Sequence, residues 1–484
     1  MAKILLINPN KWGRGVTHIW IASHSGLAKR DNHIVDLFDS TFFKDWTSNE
    51  HDYNTQNKQY KKTDYNNFIK FNDSNVKLEL QNKINNFKPD VIFWSAISSH
   101  IHGEGEYVNI EYGYELIKDL EIGNAILITG GLQATSNAEY ILKKYHKINY
   151  IIRGESEIIL TQILNYIDNK LTFKDLNGIA FIDGEQLILN KTQNLISNMD
   201  ILSPYDYSIF NPVTFYRSYN GEVVKAIDYE LSRGCIYSCG YCVETVIQNY
   251  YGFKENNANG AIKNFKKYLR NKSAKVIFNE ILNLNKDLGI ILFRCQDTNF
   301  LTIDRKVLED LGDLIDNSNL NIKLYIETRP EGINEKSIKL LKKLKVDGVG
   351  MGVELSSQDF REDYLNRYAD HNKILNAFKL LKANNIKTTA YNVIGFPNQN
   401  ENSIWETINL NKTLEPDNIT VAFFSPYHGT NQQKEGNKLN LFDSNTPSVD
   451  NQLRTTQNEE KSLISNEKLN YFKKNFFDLV YAKK

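Results

Sequence analysis

Short apolar runs alternate with helix-length segments along most of the chain. A strand buried on both faces of a sheet reads as such a run, and a covering helix shows an apolar period near 3.6 residues. In the first third, 3–7, 33–38, 89–95 and 125–131 read as strands, 25–30 and 76–87 read as helices, and Tyr150-Ile-Ile-Arg-Gly-Glu-Ser-Glu157 closes the series. This alternation predicts a parallel sheet covered on both faces. Ligands of such sheets lie beyond the carboxyl ends of the strands, where Ser95 and Gly130-Gly131 fall. Residues 44–75, polar and rich in Asn, Asp and Lys, read as a solvent-exposed excursion. Residues 179–189 read as a β-hairpin turning at Asp183-Gly184, inside a connector that Pro204 and Pro212 mark as irregular. From 223 to about 425 the alternation resumes, with strands expected at 223–231, 289–294, 322–328, 348–353, 388–394 and 419–424 and helices such as 335–345 and 372–384 between them. A last helix carries Leu469, Phe472, Phe476 and Leu479 on one face, a pattern for packing on the second sheet, with a lid over a substrate as the alternative.

Composition narrows the function classes. A chain of 484 residues has room for two or three domains. With 58 basic and 58 acidic residues the net charge is zero, so no bulk field draws the chain to nucleic acid or a membrane surface. The first apolar run stops at Asn8-Pro9, too short for a signal peptide or a membrane span, and the expectation is a cytoplasmic protein. Four cysteines in so long a chain, three of them clustered, suit a reducing compartment where thiols serve as ligands.

Those three, Cys235, Cys239 and Cys242, follow the 223–231 strand with C-x3-C-x2-C spacing and Arg233-Gly234 as the turn. An iron–sulfur cube normally takes four cysteine ligands, so three from one loop leave one iron open to another molecule. A structural zinc would want a fourth Cys or His nearby, and none occurs between Val243 and Arg294, which makes zinc the weaker reading. Only Cys295 is left over, so a second three-cysteine cluster cannot be built.

With the aromatic Tyr241 just before its last cysteine, this motif resembles the signature of the radical S-adenosylmethionine (SAM) superfamily. The resemblance implies a [4Fe–4S] cluster on Cys235, Cys239 and Cys242, with the SAM amino and carboxylate groups on the fourth iron, inside a partial (β/α)6 barrel. Gln296-Asp-Thr-Asn-Phe300, Ile326-Glu-Thr-Arg-Pro330, Gly352-Val-Glu-Leu-Ser356, Gly395-Phe-Pro397 and Pro426-Tyr-His-Gly-Thr430 match the family in order. It implies that Glu327 binds the SAM amine, Glu354 the ribose hydroxyls and Arg367 the SAM carboxylate, with Tyr241 near the adenine. By residue type alone, Glu327 could instead pair with Arg329. Asp297 could face substrate, cobalamin or a helix N-terminus, and Cys295 reads as a buried small hydrophobe. His428 stands where the family commonly has proline.

The first third is similar to the cobalamin-binding Rossmann-like domain that precedes many radical SAM domains, through Ser95-Ala-Ile97, Gly130-Gly131 and Arg153-Gly-Glu-Ser-Glu157. This implies cobalamin contacts at Ser95, Gly130, Gly131, Gly154 and Glu155. The Asp-x-His-x-x-Gly of proteins that place a histidine on cobalt is missing after the first strand; Ser98-Ser-His-Ile-His-Gly103 has Ser98 in the Asp position and follows a later strand. Cobalamin is therefore expected without a protein histidine on cobalt, with His100 and His102 as loop residues near the pocket.

Together these give an α/β chain: a flavodoxin-like Rossmann domain over 1–165, a connector over 166–222, a partial radical SAM barrel over 223–430 and a helical extension over 431–484. The implied activity is cobalamin-dependent methylation of a carbon or phosphorus centre of a small molecule, with flavodoxin or ferredoxin as electron donor and no nucleic-acid partner. The alternatives are oxidative cyclisation or rearrangement on the same fold, or a non-catalytic cobalamin or iron–sulfur sensor. A methylthiotransferase would need three further cysteines.

Overall fold

The four apolar residues Ile4, Leu5, Leu6 and Ile7 are almost fully buried because β1 (Lys3–Asn8) lies in the middle of a sheet. It pairs in parallel with β2 (Ile34–Asp39) on one side and β3 (Val91–Ala96) on the other. From β3 the ladder continues, still parallel, to β4 (Ile126–Gly131) and β5 (Tyr150–Ile152). This computed structural model describes residues 1–47, 63–65, 67–96, 98–99, 106–107, 110–253, 255–256, 260–424, 426–441 and 459–482. The order β2-β1-β3-β4-β5 puts a switch in connection direction between β1 and β3, the place where open α/β sheets open a crevice for ligands. Helix α1 (Ile19–Arg30) starts in that crevice; α2 (Val76–Phe87), capped by Asn75 accepting from Leu78 N, buries Val76, Leu80 and Ile84. The 150–157 segment is a strand only to Ile152, and Glu157 already opens α3 (Glu157–Asp168).

One expectation changes here. The hairpin expected in the connector forms β6 (Ile179–Asp183) and β7 (Gln186–Leu189), and it extends the first sheet: Ala180 pairs with Ile151 in antiparallel register. A three-residue β5 at the edge would leave open N–H and C=O groups, and the hairpin covers them.

The second sheet holds all six expected strands, preceded by β8 (Tyr216–Tyr219), which turns at Asn220-Gly221 into antiparallel β9 (Glu222–Tyr229). Both turn residues have positive φ, 56° and 92°, the conformation that tight hairpins require. The sheet then runs in parallel through β10 (Leu292–Cys295), β11 (Lys323–Thr328), β12 (Val346–Glu354), β13 (Lys387–Ile394) and β14 (Asn418–Phe423). Helices α4 (Ala274–Leu288), α5 (Arg305–Asp316), α6 (Glu335–Lys343), α7 (His371–Ala383) and α8 (Glu401–Leu414) fall between the strands of this half-barrel. The last helix, α9 (Asn466–Tyr481), packs on α8 and β14: Leu469, Phe472, Phe476 and Val480 join Ile404, Ile408, Val421 and Phe423 in one apolar cluster. Its buried face is therefore spent on the barrel's last strand. Between the sheets, Tyr207 donates to the Asp228 carbonyl at 2.5 Å, and Tyr205, Tyr207, Phe210 and Phe215 tie both sheets into one core. Among the described residues no helix is long and apolar enough to cross a membrane.

Candidate active site

The cysteine loop is fixed from behind. As the chain leaves β9, Asp297, just past β10, accepts from Leu231 N (3.1 Å), Ser232 N (2.6 Å) and Ser232 Oγ (2.5 Å). Asp297 is 1% exposed and lines neither of the two large cavities described below, so it is a positioning residue for the loop and not a substrate-facing one. Burial pushes its carboxyl up to about 7, against those three hydrogen bonds. Gly234 then turns with φ +95°; a Cβ there would sit 2.6 Å from the Tyr268 carbonyl oxygen. Gln248, on the helix Glu244–Tyr250 that follows the motif, donates to the carbonyls of Cys235 and Tyr237, both at 2.9 Å. Burial pushes the Cys235 thiol up to about 12 and raises Cys242 as well. Only thiolates ligate iron, so loading a cluster here releases protons.

Cys235, Cys239 and Cys242 line one cavity of about 190 Å³ at the carboxyl ends of the barrel strands, with Tyr241, Glu327, Glu354 and Arg367 on the same walls. Glu327, at the end of β11, accepts from Tyr391 Oη at 2.6 Å, and that hydroxyl lies 2.9 Å from Tyr325 Oη. Arg329 does not take up Glu327; its guanidinium goes to Glu331 (2.6 Å) and the Tyr368 carbonyl (2.7 Å). Glu354 ends β12 in the left-handed region, φ +64°, where the pairing with β13 shifts register. Arg367 donates to the Gly352 carbonyl at 2.6 Å and stands 3.6 Å from Glu354. A Cβ on Gly352 would meet Glu354 Oε1 at 2.3 Å and Arg367 Nη2 at 2.8 Å, so any larger residue would push this pair from its present position. Arg367 is 5% exposed, and its Nε–H is buried with no acceptor among the described residues. Three thiols, two carboxylates and an arginine with an unspent donor fit an iron–sulfur cluster beside a ligand that carries an amine and a carboxylate. Tyr241, edge-on to Phe396 at 5.6 Å, supplies a flat apolar wall.

A second cavity, of about 280 Å³, lies in the crevice between the two sheets, with Ser95, Gly131, Gly154 and Glu155 on its walls. Gly130 is not on them: it lies inside β4, where a Cβ would pack 3.3 Å from the Ile152 carbonyl and 3.5 Å from the Phe93 ring. The Glu155 carboxylate is also not held out to a ligand. It pairs with Arg270 at 2.7 and 2.9 Å, stands 3.4 Å from Arg233 and accepts from Ile196 N at 2.9 Å. Arg233, in the cluster loop, reaches Glu157 and Glu230, each at 2.6 Å. Burial opposes ionisation of Glu157, but Arg233 outweighs it and holds that carboxyl down at about 2. The Arg-Gly-Glu-Ser-Glu stretch thus clamps the first sheet to the cluster loop.

The sequence directed attention to His100 and His102, which, with Ile97, lie outside the described residues; the structure puts His18 and His24 on this cavity instead. His24 is committed to the Trp20 carbonyl (2.5 Å) and Ser156 Oγ (2.9 Å). His18 is held neutral, its pKa lowered to about 4 by burial, and its Nε2 and the neighbouring Trp20 Nε1 have no partner among the described residues. Their only sequence signal was position, in the loop and first helical turn after β1. Thr298 belongs to both cavity walls, so the two compartments adjoin.

Residues 229–410 match the family model of the radical SAM superfamily. The chain carries a radical SAM domain. Radical SAM domains hold a [4Fe–4S] cluster and SAM, the pair of cofactors that the barrel-mouth residues fit. Sequence relatives of the chain include the anaerobic magnesium-protoporphyrin IX monomethyl ester cyclase of Rubrivivax gelatinosus, 24% identical over 376 residues, which are 75% of this chain and 62% of the cyclase. The Cereibacter sphaeroides cyclase is 22% identical over 72% of this chain and 53% of its own length, so the chain spans about half to three-fifths of these two relatives. An uncharacterized methyltransferase of Pyrococcus horikoshii is 22% identical over 72% of this chain and 69% of its own. Among solved structures, the radical SAM methyltransferase TsrM from Kitasatospora setae superposes with TM-score 0.65 at 14% identity, covering 91% of this chain and 77% of TsrM. The cobalamin-dependent SAM radical enzyme OxsB, with aqua-cobalamin bound, gives TM-score 0.65 at 13% identity over 98% of this chain and 67% of OxsB. At these identities the likeness is one of fold, and it spans both the Rossmann sheet and the radical SAM half-barrel.

Proposed function

We propose that the protein is a cobalamin-dependent radical SAM methyltransferase acting on an unactivated carbon, or a phosphorus, of a small molecule. The observation that carries this reading is the junction at Thr298, where a cavity with three thiols, two carboxylates and an arginine adjoins a cavity at the switch point of a flavodoxin-like sheet. When bound, the cluster supplies the electron for cleaving SAM and cobalamin supplies the methyl group. Glu327, oriented by Tyr391, takes the SAM amine, Arg367 the carboxylate through its unspent Nε–H, and Glu354 the ribose hydroxyls. Tyr241, backed by Phe396, walls the adenine side and keeps water out. On the other side, Ser95, Gly131 and Gly154 lie at strand ends facing the crevice, and the unpartnered His18 Nε2 and Trp20 Nε1 are polar groups that an amide-rich cofactor can satisfy. A second reading, oxidative cyclisation without methyl transfer, is favoured by the cyclases among the sequence relatives.

The deciding measurement is the cofactor content of full chain expressed with a cobalamin supply, purified without oxygen and reconstituted with iron and sulfide. One cluster and one cobalamin per chain is the expected result, and a product heavier than its substrate by one methyl group separates methylation from cyclisation. A cluster with no cobalamin would overturn the cobalamin reading while leaving the radical SAM domain in place.

A further inference from the structure

We infer that Arg329 and Glu331 together set the reduction potential of the cluster, Arg329 as a fixed cation on the Cys239 ligand and Glu331 as the counter-charge that tempers it. This inference rests on the proposed cluster at Cys235, Cys239 and Cys242. Arg329 Nη1 lies 3.9 Å from Cys239 Sγ, within reach of a hydrogen bond to sulfur. Arg329 lines the cysteine cavity, on the same walls as Arg367.

The guanidinium is held on three sides. Its Nη2 donates to Glu331 (2.6 Å) and to the Tyr368 carbonyl (2.7 Å), its Nε donates to Glu331 (3.1 Å), and its plane lies 3.7 Å from the centre of the Tyr237 ring. Asn299, which accepts from Arg329 N and Thr328 Oγ1, fixes the backbone at the end of β11. At 6% exposure the charge is poorly screened by water. A guanidinium keeps its proton in proteins, and Glu331 at 2.6 Å supplies a counter-charge, so the charge is permanent. Reducing a cluster adds one negative charge, and a fixed cation with an N–H aimed at a ligand sulfur favours the reduced form. Glu331, whose carboxyl is held low chiefly by Arg329 against burial, cancels part of that field. The pair therefore makes two predictions of opposite sign from neighbouring residues.

The test is an EPR-monitored redox titration, without SAM, of reconstituted full-length wild type, Arg329→Gln and Glu331→Gln, each with iron and sulfide per chain determined. Arg329→Gln should move the midpoint to more negative potential, lowering the reduced-to-oxidised ratio at the wild-type midpoint about tenfold, which for a one-electron couple is about 59 mV. Glu331→Gln should move it the other way. Midpoints unchanged in both variants, or shifted in the same direction, would overturn the inference. If Arg329→Gln assembles no cluster, Glu331→Gln decides by the sign of its shift, since it leaves the guanidinium in place. A wild type that takes up no cluster would instead sink the proposed function, and this inference with it.

Discussion

The two adjoining cavities use charge in opposite ways. At the barrel mouth, charged side chains converge on open space with bonding capacity in reserve: Arg367 keeps a buried Nε–H without an acceptor among the described residues, and Gly352 leaves room for the ends of Glu354 and Arg367. Between the sheets, Glu155, Glu157 and Glu230 meet Arg233 and Arg270 at 2.6 to 2.7 Å and are largely spent on each other. Buried ion pairs of the second kind contribute register more than net stability, but breaking one strands its partner in a medium that does not solvate it. Perturbed charge alone thus does not mark a binding site; charge with unused hydrogen-bonding capacity does.

The contrast can be tested in order of effect. The largest belongs to the clamp. Arg233→Ala leaves Glu157 and Glu230 without their cation and should cost about 3–5 kcal/mol of stability, read as a lower denaturation midpoint in urea. A loss below about 1 kcal/mol would mean that water reaches the network and that the two cavities are not as different as drawn. Next is Glu327→Gln, which keeps a hydrogen-bond acceptor for Tyr391 but removes the charge that we propose binds the SAM amine. SAM affinity of the reconstituted protein, measured by equilibrium dialysis, should fall about tenfold with the urea midpoint nearly unchanged. A stability loss with intact affinity would place Glu327 with the structural charges.

The third test reads a pH slope at Asp297, between the two. Its folded-state value of about 7 lies above its ordinary 3.8, so the folded protein keeps a proton that the unfolded chain has released. The stabilisation is full below about pH 4, declines as pH rises toward 7 and is level above that. Asp297→Asn should remove this decline, so urea titrations of both proteins at pH 5 and pH 8 should show the wild type losing more stability than the variant over that interval. Parallel losses in the two would put the ionised carboxylate, well solvated by its three donors, at that turn.

What the chain disclosed in advance follows from the range of the interactions. The three cysteines sit within eight positions because one small object gathers them, and the strand–helix alternation is a local period; both were legible. Glu327, Glu354 and Arg367 came through resemblance, and the fold brings all three to the cysteine cavity. The rest depended on partners far apart in sequence, which leave no period. Arg329 and Cys239 are separated by 90 positions, Glu155 and Arg270 by 115, and Asp297 stands 65 positions from the serine that it fixes. Glu155 looked like a cofactor contact because its loop lies at the crevice, and only the distant arginines reveal its other use. The 179–189 hairpin was visible as a hairpin, but its attachment to the first sheet is a pairing with the open edge of β5, a property of the edge and not of the hairpin.

Among the described residues Thr298 alone lies on both walls, so an occupant of each compartment touches the same side chain. Linkage requires that any factor by which the first occupant changes the affinity of the second be returned to it in full. Order of loading is then a matter of concentrations and leaves that factor unchanged.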